Sequence, residues 1–566
     1  MIQRPLSHAA VAAAVLVALS ACGGGGGGDS TPPQLGVAVG AALTSCTDLV
    51  TRINIPNTTV TAATAVAAGG LTVAGTPVPA HCRVTGRMFD RTGIDGKPYA
   101  IGWEMRLPND WNGRFFYQAN GGTDGSVVTA TGGVGGGGPL TNALKMGFAV
   151  ISSDAGHPAS SGATFGADPQ ARLDYGYQAV AKLTPMAKSA IQTAYGKGPD
   201  RSYIGGCSNG GRHTMVAAAR YPNDYDGYLA GDPGFRLPLA ATANIKGAQT
   251  YATLATNPAD ISTGFTAAER TLVSNAVLAK CDALDGLSDG MVQATSACQA
   301  AFSLDRDVPT CSGARDGSCL SAAQKSAIAQ LFAGATTSTG TKIYSTWPYD
   351  TGLYTSGWSF WKFTVPVVLD SGAVGLIFQV PPEDPATFNG ANFALNGNVD
   401  TMFTKIFATN TTFTESAMSF MTPPDASNLT TLRNRGAKMM VYHGTADPIF
   451  SSDDTKNWYE ALGSNRRDFA RYYQIPGMNH CSGGPATDQF DMLTPLVNWV
   501  EKGVVPDSVT ASARGAGNAG GVNADVPSSW AANRTRPLCS YPAVARYTGT
   551  GSVESADSFV CALPSF

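Results

Sequence analysis

One serine between two glycines most strongly constrains the fold of this chain. Gly206-Cys207-Ser208-Asn209-Gly210 follows an apolar run at 202–205 and precedes a helical pattern at 214–220. Glycines two places on either side let a strand turn sharply into a helix and expose the serine hydroxyl. The pattern predicts a nucleophile elbow at Ser208. The alternative is a glycine-rich turn that contains an incidental serine.

Strand-like and helix-like segments alternate on both sides of this elbow. Apolar runs that resemble buried strands lie at 114–118, 148–152, 228–230, 438–442 and 471–475, and amphipathic helical patterns lie at 170–195 and 493–502. Such alternation predicts a parallel sheet with helices on both faces. With the elbow, it predicts an α/β-hydrolase fold.

The alternation stops in the middle of the chain. Residues 236–424 are rich in Thr, Asn, Gly and Trp and lack the strand–helix pattern. We interpret them as a large inserted lid domain over the carboxyl edge of the sheet. The hydrolase core is then built from two parts, 41–235 and 425–566.

A serine nucleophile needs a base, and the chain has only six histidines. His480 lies in a loop after the predicted strand 471–475, and Asp447 follows the predicted strand 438–442. The order Ser, Asp, His is that of α/β hydrolases, so we expect His480 as base and Asp447 as its orienting carboxylate. The alternative is that His480 is a core or surface histidine. Four others fit less well: His81, His213, His157 and His443. Of these, His157 and His443 lie at predicted strand ends and are possible pocket residues.

Two cysteines flank these residues. Cys207 directly precedes Ser208, and Cys481 directly follows His480. If serine and histidine are within hydrogen-bond reach, their neighbours are close enough for a disulfide, which requires Cα atoms within about 7 Å. Ten of the eleven cysteines lie beyond residue 40, an even number that predicts five disulfides in an exported chain.

The first forty residues resemble an export signal and a linker rather than part of a folded domain. Residues 1–21 have the charge and apolar stretch of a signal peptide, and Leu19-Ser20-Ala21-Cys22 resembles a bacterial lipobox. Lipidated Cys22 would anchor the chain to a membrane, with residues 22–40 as a glycine-rich tether. The alternative is an ordinary signal peptide. We expect an outer-membrane lipoprotein, or a periplasmic or extracellular bacterial protein.

The overall charge argues against one class of partner. The formal net charge is −3, which leaves no basic footprint for nucleic acid. The expected partner is a small molecule.

Cys207-Ser208, Asp447 and His480-Cys481 reproduce the CS-D-HC pattern, and the chain therefore resembles the tannase and feruloyl esterase family. The likeness runs from about Cys46 to Cys561 and includes residues 91–96, 111–116 and 476–484. Within the family it is similar to bacterial hydrolases of terephthalate monoesters. The resemblance implies the pairs Cys46–Cys82, Cys207–Cys481, Cys281–Cys298, Cys311–Cys319 and Cys539–Cys561.

Backbone N–H groups are expected to hold the oxyanion of an acyl-transfer intermediate. Asn209 follows the nucleophile and supplies one of them. Gly121-Gly122 follows the predicted strand 114–118 and is the source of the second. The family resemblance favours Gly122.

A second group of candidate functional residues, possible ligands for a cation, lies in an acidic loop at 282–291. Three carboxylates among glycines suit a hard, oxygen-ligated cation. The resemblance implies structural calcium, held by the side chains of Asp282, Asp285 and Asp289 and the carbonyls of Leu287 and Met291. The alternative is an acidic solvated turn.

Aromatic side chains suggest where a planar acyl group binds. Phe360 and Trp361 lie in the predicted lid, and Phe450 follows Asp447; aromatic clusters also form ordinary core. Family members that cleave terephthalate monoesters hold the substrate carboxylate with a lid arginine. Residues 365–377 contain no arginine. Unless Lys362 substitutes, this favours neutral feruloyl or galloyl esters.

Three functions follow as hypotheses. The first is hydrolysis of aromatic esters, with phenolic esters preferred and terephthalate monoesters as the alternative. The second is a peptidase or acyltransferase that uses the same triad. The third is a non-catalytic surface binding protein on a hydrolase fold.

Overall fold

The computed structural model describes residues 31–135 and 140–564. Its centre is a nine-stranded sheet with the spatial order β9-β8-β7-β6-β4-β5-β3-β2-β1. Neighbours from β4 to β9 are parallel, and the pairs β5–β3, β3–β2 and β2–β1 are antiparallel. In chain order, the strands are β1 Thr58–Val66, β2 His81–Thr92, β3 Pro98–Pro108, β4 Arg114–Gln118, β5 Ala149–Ser153, β6 Arg201–Cys207, β7 Gly227–Gly231, β8 Lys438–Gly444 and β9 Ala470–Ile475.

Helices connect and cover these strands. The longer ones are α1 Ala179–Tyr195, α2 Asn209–Arg220, α3 Leu237–Leu254, α4 Ala267–Cys281, α5 Ala322–Phe332, α6 Ser452–Ala461 and α7 Leu493–Lys502. The shorter ones are Leu49–Arg52, Pro169–Leu173, Thr295–Ala301, Leu304–Asp307, Ser356–Ser359, Gly390–Asn396, Val399–Lys405, Ala417–Phe420 and Thr430–Asn434.

Beyond the central sheet, the carboxyl-terminal part forms small antiparallel ladders. Strands β10 Gln489–Phe490, β11 Ser508–Ser512 and β12 Thr535–Cys539 form one sheet, and β13 Val544–Tyr547 pairs with β14 Phe559–Ala562. Two-residue ladders join Ala41–Ala42 to Asp110–Trp111 and Thr72–Val73 to Thr76–Pro77.

The predicted parallel strands are all present, because each is an apolar run buried on both faces. With strand β6 leading through Ser208 into α2, the architecture is the predicted α/β-hydrolase fold. The helix predicted over 170–195 is instead interrupted by a wider turn at Asp174–Gln178. There Gly176 approaches the chain so closely that a Cβ would lie 2.5 Å from the Phe420 oxygen.

The region predicted as a lid, residues 236–424, is called the insert below. The central sheet gains no strand between Gly231 and Lys438, all of which the structure describes. Within the insert, one helical segment runs from Ser356 to Phe378 and is wound wider than an α-helix over most of its length. An aromatic core supports it, with the Tyr251 and Phe363 rings 5.0 Å apart and those of Trp358 and Phe363 5.8 Å apart. The domain limits themselves stay a prediction.

All five predicted cysteine pairs are bonded: Cys46–Cys82, Cys207–Cys481, Cys281–Cys298, Cys311–Cys319 and Cys539–Cys561. Disulfides persist in oxidising compartments, so this is an exported protein. The predicted signal peptide and Cys22 lie outside the described residues. Among the helices that the structure describes, none combines the length and apolarity needed to cross a membrane.

Candidate active site

Ser208 sits on a strained turn at the carboxyl end of β6. Its φ of 64° and ψ of −126° are unusual for a residue with a side chain. The flanking glycines are required sterically, because a Cβ at Gly206 or Gly210 would lie 2.3 Å from the Ala119 oxygen. The elbow predicted from the sequence is therefore present in the structure.

The three residues proposed as a triad meet at the carboxyl edge of the sheet. His480 Nε2 lies 2.8 Å from Ser208 Oγ, and His480 Nδ1 lies 2.8 Å from Asp447 Oδ2. The other Asp447 oxygen accepts the backbone N–H groups of Ile449 at 2.9 Å and Phe450 at 3.1 Å. This is the geometry of a serine nucleophile with a base and an orienting carboxylate.

The electrostatics keep Asp447 ionised. Burial by itself raises the pKa of Asp447, but His480 and His443 outweigh burial and hold this pKa well below its usual range. A carboxylate in this state fixes the tautomer of His480 with the proton on Nδ1, which leaves Nε2 free to accept the serine proton.

A second histidine also touches the orienting carboxylate. His443 Nε2 lies 3.2 Å from Asp447 Oδ2 and 3.0 Å from the Phe450 carbonyl, and Nδ1 lies 2.8 Å from Thr455 Oγ1. Burial lowers the pKa of His443, but Asp447 and Asp232 reverse the effect and raise it. The sequence marked His443 only as a possible pocket residue, and its contact with Asp447 was missed.

A disulfide and a buried carboxylate connect the serine and histidine loops. Cys207 and Cys481 have Cα atoms 6.1 Å apart. Beneath this bond, Asp232 accepts the backbone N–H of Cys481 at 3.0 Å and that of Gly444 at 2.7 Å. Burial raises the pKa of Asp232 to about 6. Asp232 carries no sequence motif, so only the fold reveals its place.

The predicted oxyanion residues lie beside the elbow. Asn209 opens α2, where first-turn N–H groups lack an intrahelical acceptor. A Cβ on Gly121 would lie 3.9 Å from the Ser208 Cβ, and Gly122 follows with a φ of 63°. The Asn209 side chain donates to Asp124 at 2.8 Å, and His213 Nε2 lies 2.8 Å from the same oxygen. This buried network links the glycine loop to α2.

The predicted substrate residues separate into two groups. The rings of Trp361 and Phe450 meet His480 edge to face, with centroids 4.7 Å and 5.3 Å away. The Phe360 ring is instead 51% exposed and lines a groove elsewhere on the insert. Successive residues of a helix point in different directions, so two neighbours in sequence need not face one site.

Lys362, the residue considered as a substitute for a lid arginine, points into the interior of the insert. Its Nζ lies 3.8 Å from the centre of the Trp347 ring, and the two residues line a small cavity with Asn244 and Tyr251. Burial lowers the pKa of Lys362 to about 7.

The three carboxylates of the acidic loop at 282–291 lie near enough to influence one another's charge, but their oxygens do not all lie within 4.8 Å of one another. Burial, together with the charges of Asp289 and Asp282, raises the pKa of Asp285 to about 7. Asp282 accepts the backbone N–H groups of Asp289 and Gly290, while Asp289 pairs with Arg536. The disulfide Cys281–Cys298 brackets the loop. Mutually repelling, partly buried oxygens fit a hard cation.

A comparison with known proteins decides the family. The family model described as "Tannase and feruloyl esterase" matches residues 82–562. The chain belongs to this family. It is an ester hydrolase of the tannase and feruloyl esterase type, as the CS-D-HC pattern predicted.

Individual relatives cover nearly the whole chain. Mono(2-hydroxyethyl) terephthalate hydrolase of Piscinibacter sakaiensis is 40% identical, over 87% of this chain and 86% of that protein. Feruloyl esterase C of Talaromyces stipitatus is 27% identical, over 92% of this chain and 94% of that protein. The structure of feruloyl esterase B from Aspergillus oryzae, at 24% identity, covers 91% of this chain and 99% of its own with a TM-score of 0.69, a likeness that establishes the fold.

Proposed function

We propose that this protein hydrolyses aromatic carboxylic esters through Ser208, His480 and Asp447. His480 Nε2 takes the Ser208 proton as the hydroxyl oxygen attacks the ester carbonyl, and Asp447 stabilises the imidazolium that forms. The proton passes to the departing alcohol, which leaves an acyl-enzyme. Water then attacks this ester with His480 again as base, and the acid is released. The continuous chain of contacts from Ser208 through His480 to Asp447 carries the proposal.

The charge that develops on the carbonyl oxygen needs donors fixed before the reaction. Asn209 and Gly122 are proposed to supply two backbone N–H groups. Their support is the network in which Asp124 connects the Asn209 side chain with His213. Fixed donors stabilise the oxyanion without reorganising during the reaction, and one such donor contributes on the order of 10²-fold or more in kcat.

The preferred substrates are proposed to be neutral phenolic esters of the feruloyl or galloyl type. Trp361 and Phe450, at the edge of His480, offer apolar walls for a planar acyl group. Residues 365–377 lack arginine, and the Lys362 ammonium lies against Trp347 inside the insert. An anionic substrate carboxylate would then lack a cationic partner in the acyl pocket.

Terephthalate monoesters are the second candidate. The 40% identity to the Piscinibacter sakaiensis hydrolase favours it. A panel of methyl ferulate, methyl gallate and mono(2-hydroxyethyl) terephthalate separates the two, with kcat/KM as the readout. We expect both neutral esters to be cleaved faster; a higher kcat/KM for the charged monoester would overturn the preference.

A fluorophosphonate probe separates a catalyst from a binding protein. An activated serine is phosphonylated, so we expect stoichiometric labelling of the native protein and none of Ser208→Ala. Failure of the native protein to react would contradict the triad assignment. Aminolysis assays with peptide or amine acceptors test the alternative peptidase and acyltransferase activities.

Structural calcium is a further part of the proposal. Asp282, Asp285 and Asp289 would hold the ion with their side chains, and Leu287 and Met291 with their carbonyls. The repulsion among the three carboxylates supports this assignment. Calcium there would neutralise the loop and stabilise the insert, without a part in ester cleavage.

Membrane anchoring through lipidated Cys22 is proposed from the lipobox-like sequence. Export of the chain is compatible with such an anchor. Radiolabelled palmitate should enter the native protein and fail to enter Cys22→Ser. Labelling of both proteins, or of neither, would contradict the anchor.

A further inference from the structure

A groove of about 620 Å³ runs along the outer face of the insert. Its walls come from the Ser356–Phe378 segment and from the region where α3 connects to α4. The same helical segment directs Trp361 towards His480 and Phe360 into this groove. The groove is therefore close to the active site but separate from it.

A buried cation that no carboxylate of the described residues contacts lines the groove. Arg270 is 4% exposed, and one N–H of its guanidinium donates to the Phe265 carbonyl at 2.7 Å. Its Nε is buried without a hydrogen-bond partner. Across residues 31–135 and 140–564, no carboxylate oxygen lies within 4.0 Å of this guanidinium. The adjacent Glu269 is occupied by Arg315 at 2.8 Å.

Such an arrangement is costly unless an anion completes it. Buried charges in proteins are normally paired, since desolvation removes the stabilisation that water provides. Burial lowers the pKa of Arg270 to about 10, which leaves it charged at neutral pH. A guanidinium favours carboxylates because its N–H groups match the two carboxylate oxygens.

Aromatic side chains define the remainder of the ligand. The centre of the Phe363 ring lies 5.4 Å from Arg270 Cζ, and Phe360 and Tyr354 also line the groove. A planar ring can stack between such walls while its acid group reaches the guanidinium. Asp260, the one acidic side chain among the described residues that line the groove, already accepts the N–H and hydroxyl of Ser262 at 3.0 Å and 2.6 Å.

We propose that this groove is a second binding site, which takes an aromatic carboxylate anchored on Arg270. The ligand belongs to the chemical class of the acid that the proposed ester hydrolysis releases. The site itself does not depend on that reaction, because it is formed by residues outside the triad. Occupation would retain released acid on the insert beside the active site.

A matched pair of charge variants tests the site. Ala267 lines the groove at the first turn of α4, three residues before Arg270, whereas the neighbouring exposed Ala268 does not line it. Residues three apart on a helix face each other, so Ala267→Glu supplies the missing counter-ion, while Ala268→Glu adds the same charge elsewhere. Both changes place a carboxylate at a helix start, where it is tolerated.

Calorimetry with ferulate as the probe gives the readout, on protein whose Ser208 has been phosphonylated. We expect ferulate to bind the labelled protein and Ala268→Glu alike, and Ala267→Glu about tenfold or more weakly. Methyl ferulate, which lacks the charge, should bind about tenfold or more weakly than ferulate. Equal affinity for Ala267→Glu and Ala268→Glu, or equal binding of acid and methyl ester, would overturn the proposal.

A purely structural role of Arg270 is tested separately. Arg270→Met keeps the length of the side chain and removes the charge. We expect it to lose ferulate binding at the groove while the folded protein retains its circular dichroism. A folded Arg270→Met that binds ferulate normally would overturn the site. If the probe fails to label Ser208, the proposed function fails, but the pair Ala267→Glu and Ala268→Glu still tests the groove on unlabelled protein.

Discussion

The carboxyl edge of the sheet and the insert position their side chains in different ways. At the edge, two histidines contact Asp447 and two backbone N–H groups donate to it, and a disulfide joins the serine and histidine loops. On the insert, the Ser356–Phe378 segment is widely wound and leaves Phe360 half exposed. The difference indicates that the side chains of the triad are held rigidly at the edge, whereas the insert contributes Trp361 beside them on a less regular segment.

The largest expected effect lies at the edge. Ser208→Ala removes the nucleophile, and we expect kcat to fall by about 10⁴- to 10⁶-fold, because the remaining triad residues then have nothing to activate. Stopped-flow or extended assays with methyl ferulate measure it. The exposed Ser326→Ala on α5 of the insert is the control and should retain native kcat. A Ser208→Ala protein within tenfold of native kcat would remove the basis of the comparison.

Two disulfide deletions compare the regions directly. Replacing Cys207 and Cys481 by alanine frees the serine loop from the histidine loop, and a displacement of about 1 Å costs on the order of 10²-fold in kcat. Replacing Cys311 and Cys319, which close a short loop within the insert, should leave kcat near native.

The two disulfide-deletion variants should also differ in their free energy of unfolding. Loss of the long-range bond should lower the free energy of unfolding by about 2–5 kcal/mol, and loss of the short one by less, because longer loops cost more entropy to close. Urea unfolding measures both. Equal losses of kcat in the two variants would contradict a special role for the edge.

Calcium removal should affect the insert more than the edge. Asp285→Asn, or native protein treated with a chelator, should lose about 2–4 kcal/mol of unfolding free energy, since an ion bound only by the folded state stabilises it by mass action. Activity well below Tm should persist. The exposed Asp316→Asn is the matched control. Added calcium that raises the Tm of Asp285→Asn as much as that of native protein would refute the site.

The smallest expected effect distinguishes two adjacent rings. Trp361→Ala removes an aromatic contact with His480 worth about 0.5–1.5 kcal/mol, so kcat/KM for methyl ferulate should fall about 2- to 13-fold. Phe360→Ala should change this value less, because its ring lines the other groove. A larger loss for Phe360→Ala would show that the exposed ring takes part in the acyl pocket.

The strands and the elbow could be predicted because their signals are local. An apolar run bounded by turns specifies a buried strand, and Gly206 and Gly210 are needed wherever the chain turns so sharply beside Ala119. The antiparallel strands β1–β3 and the interruption at Asp174–Gln178 were missed. In each, contacts with distant residues decide the conformation, as Gly176 against Phe420 illustrates.

By itself, the sequence determined the α/β class, the serine elbow, the order Ser208, Asp447, His480 and, through family resemblance, the cysteine pairs. Only the tertiary structure decided that His443 and Asp232 lie around the orienting carboxylate, that Trp361 contacts His480 while Phe360 lines a separate groove, and that Arg270 is buried among the described residues with no carboxylate in contact with it. The reason is physical: motifs encode covalent neighbours and backbone turns, whereas burial, pairing and pKa depend on residues that only folding brings together.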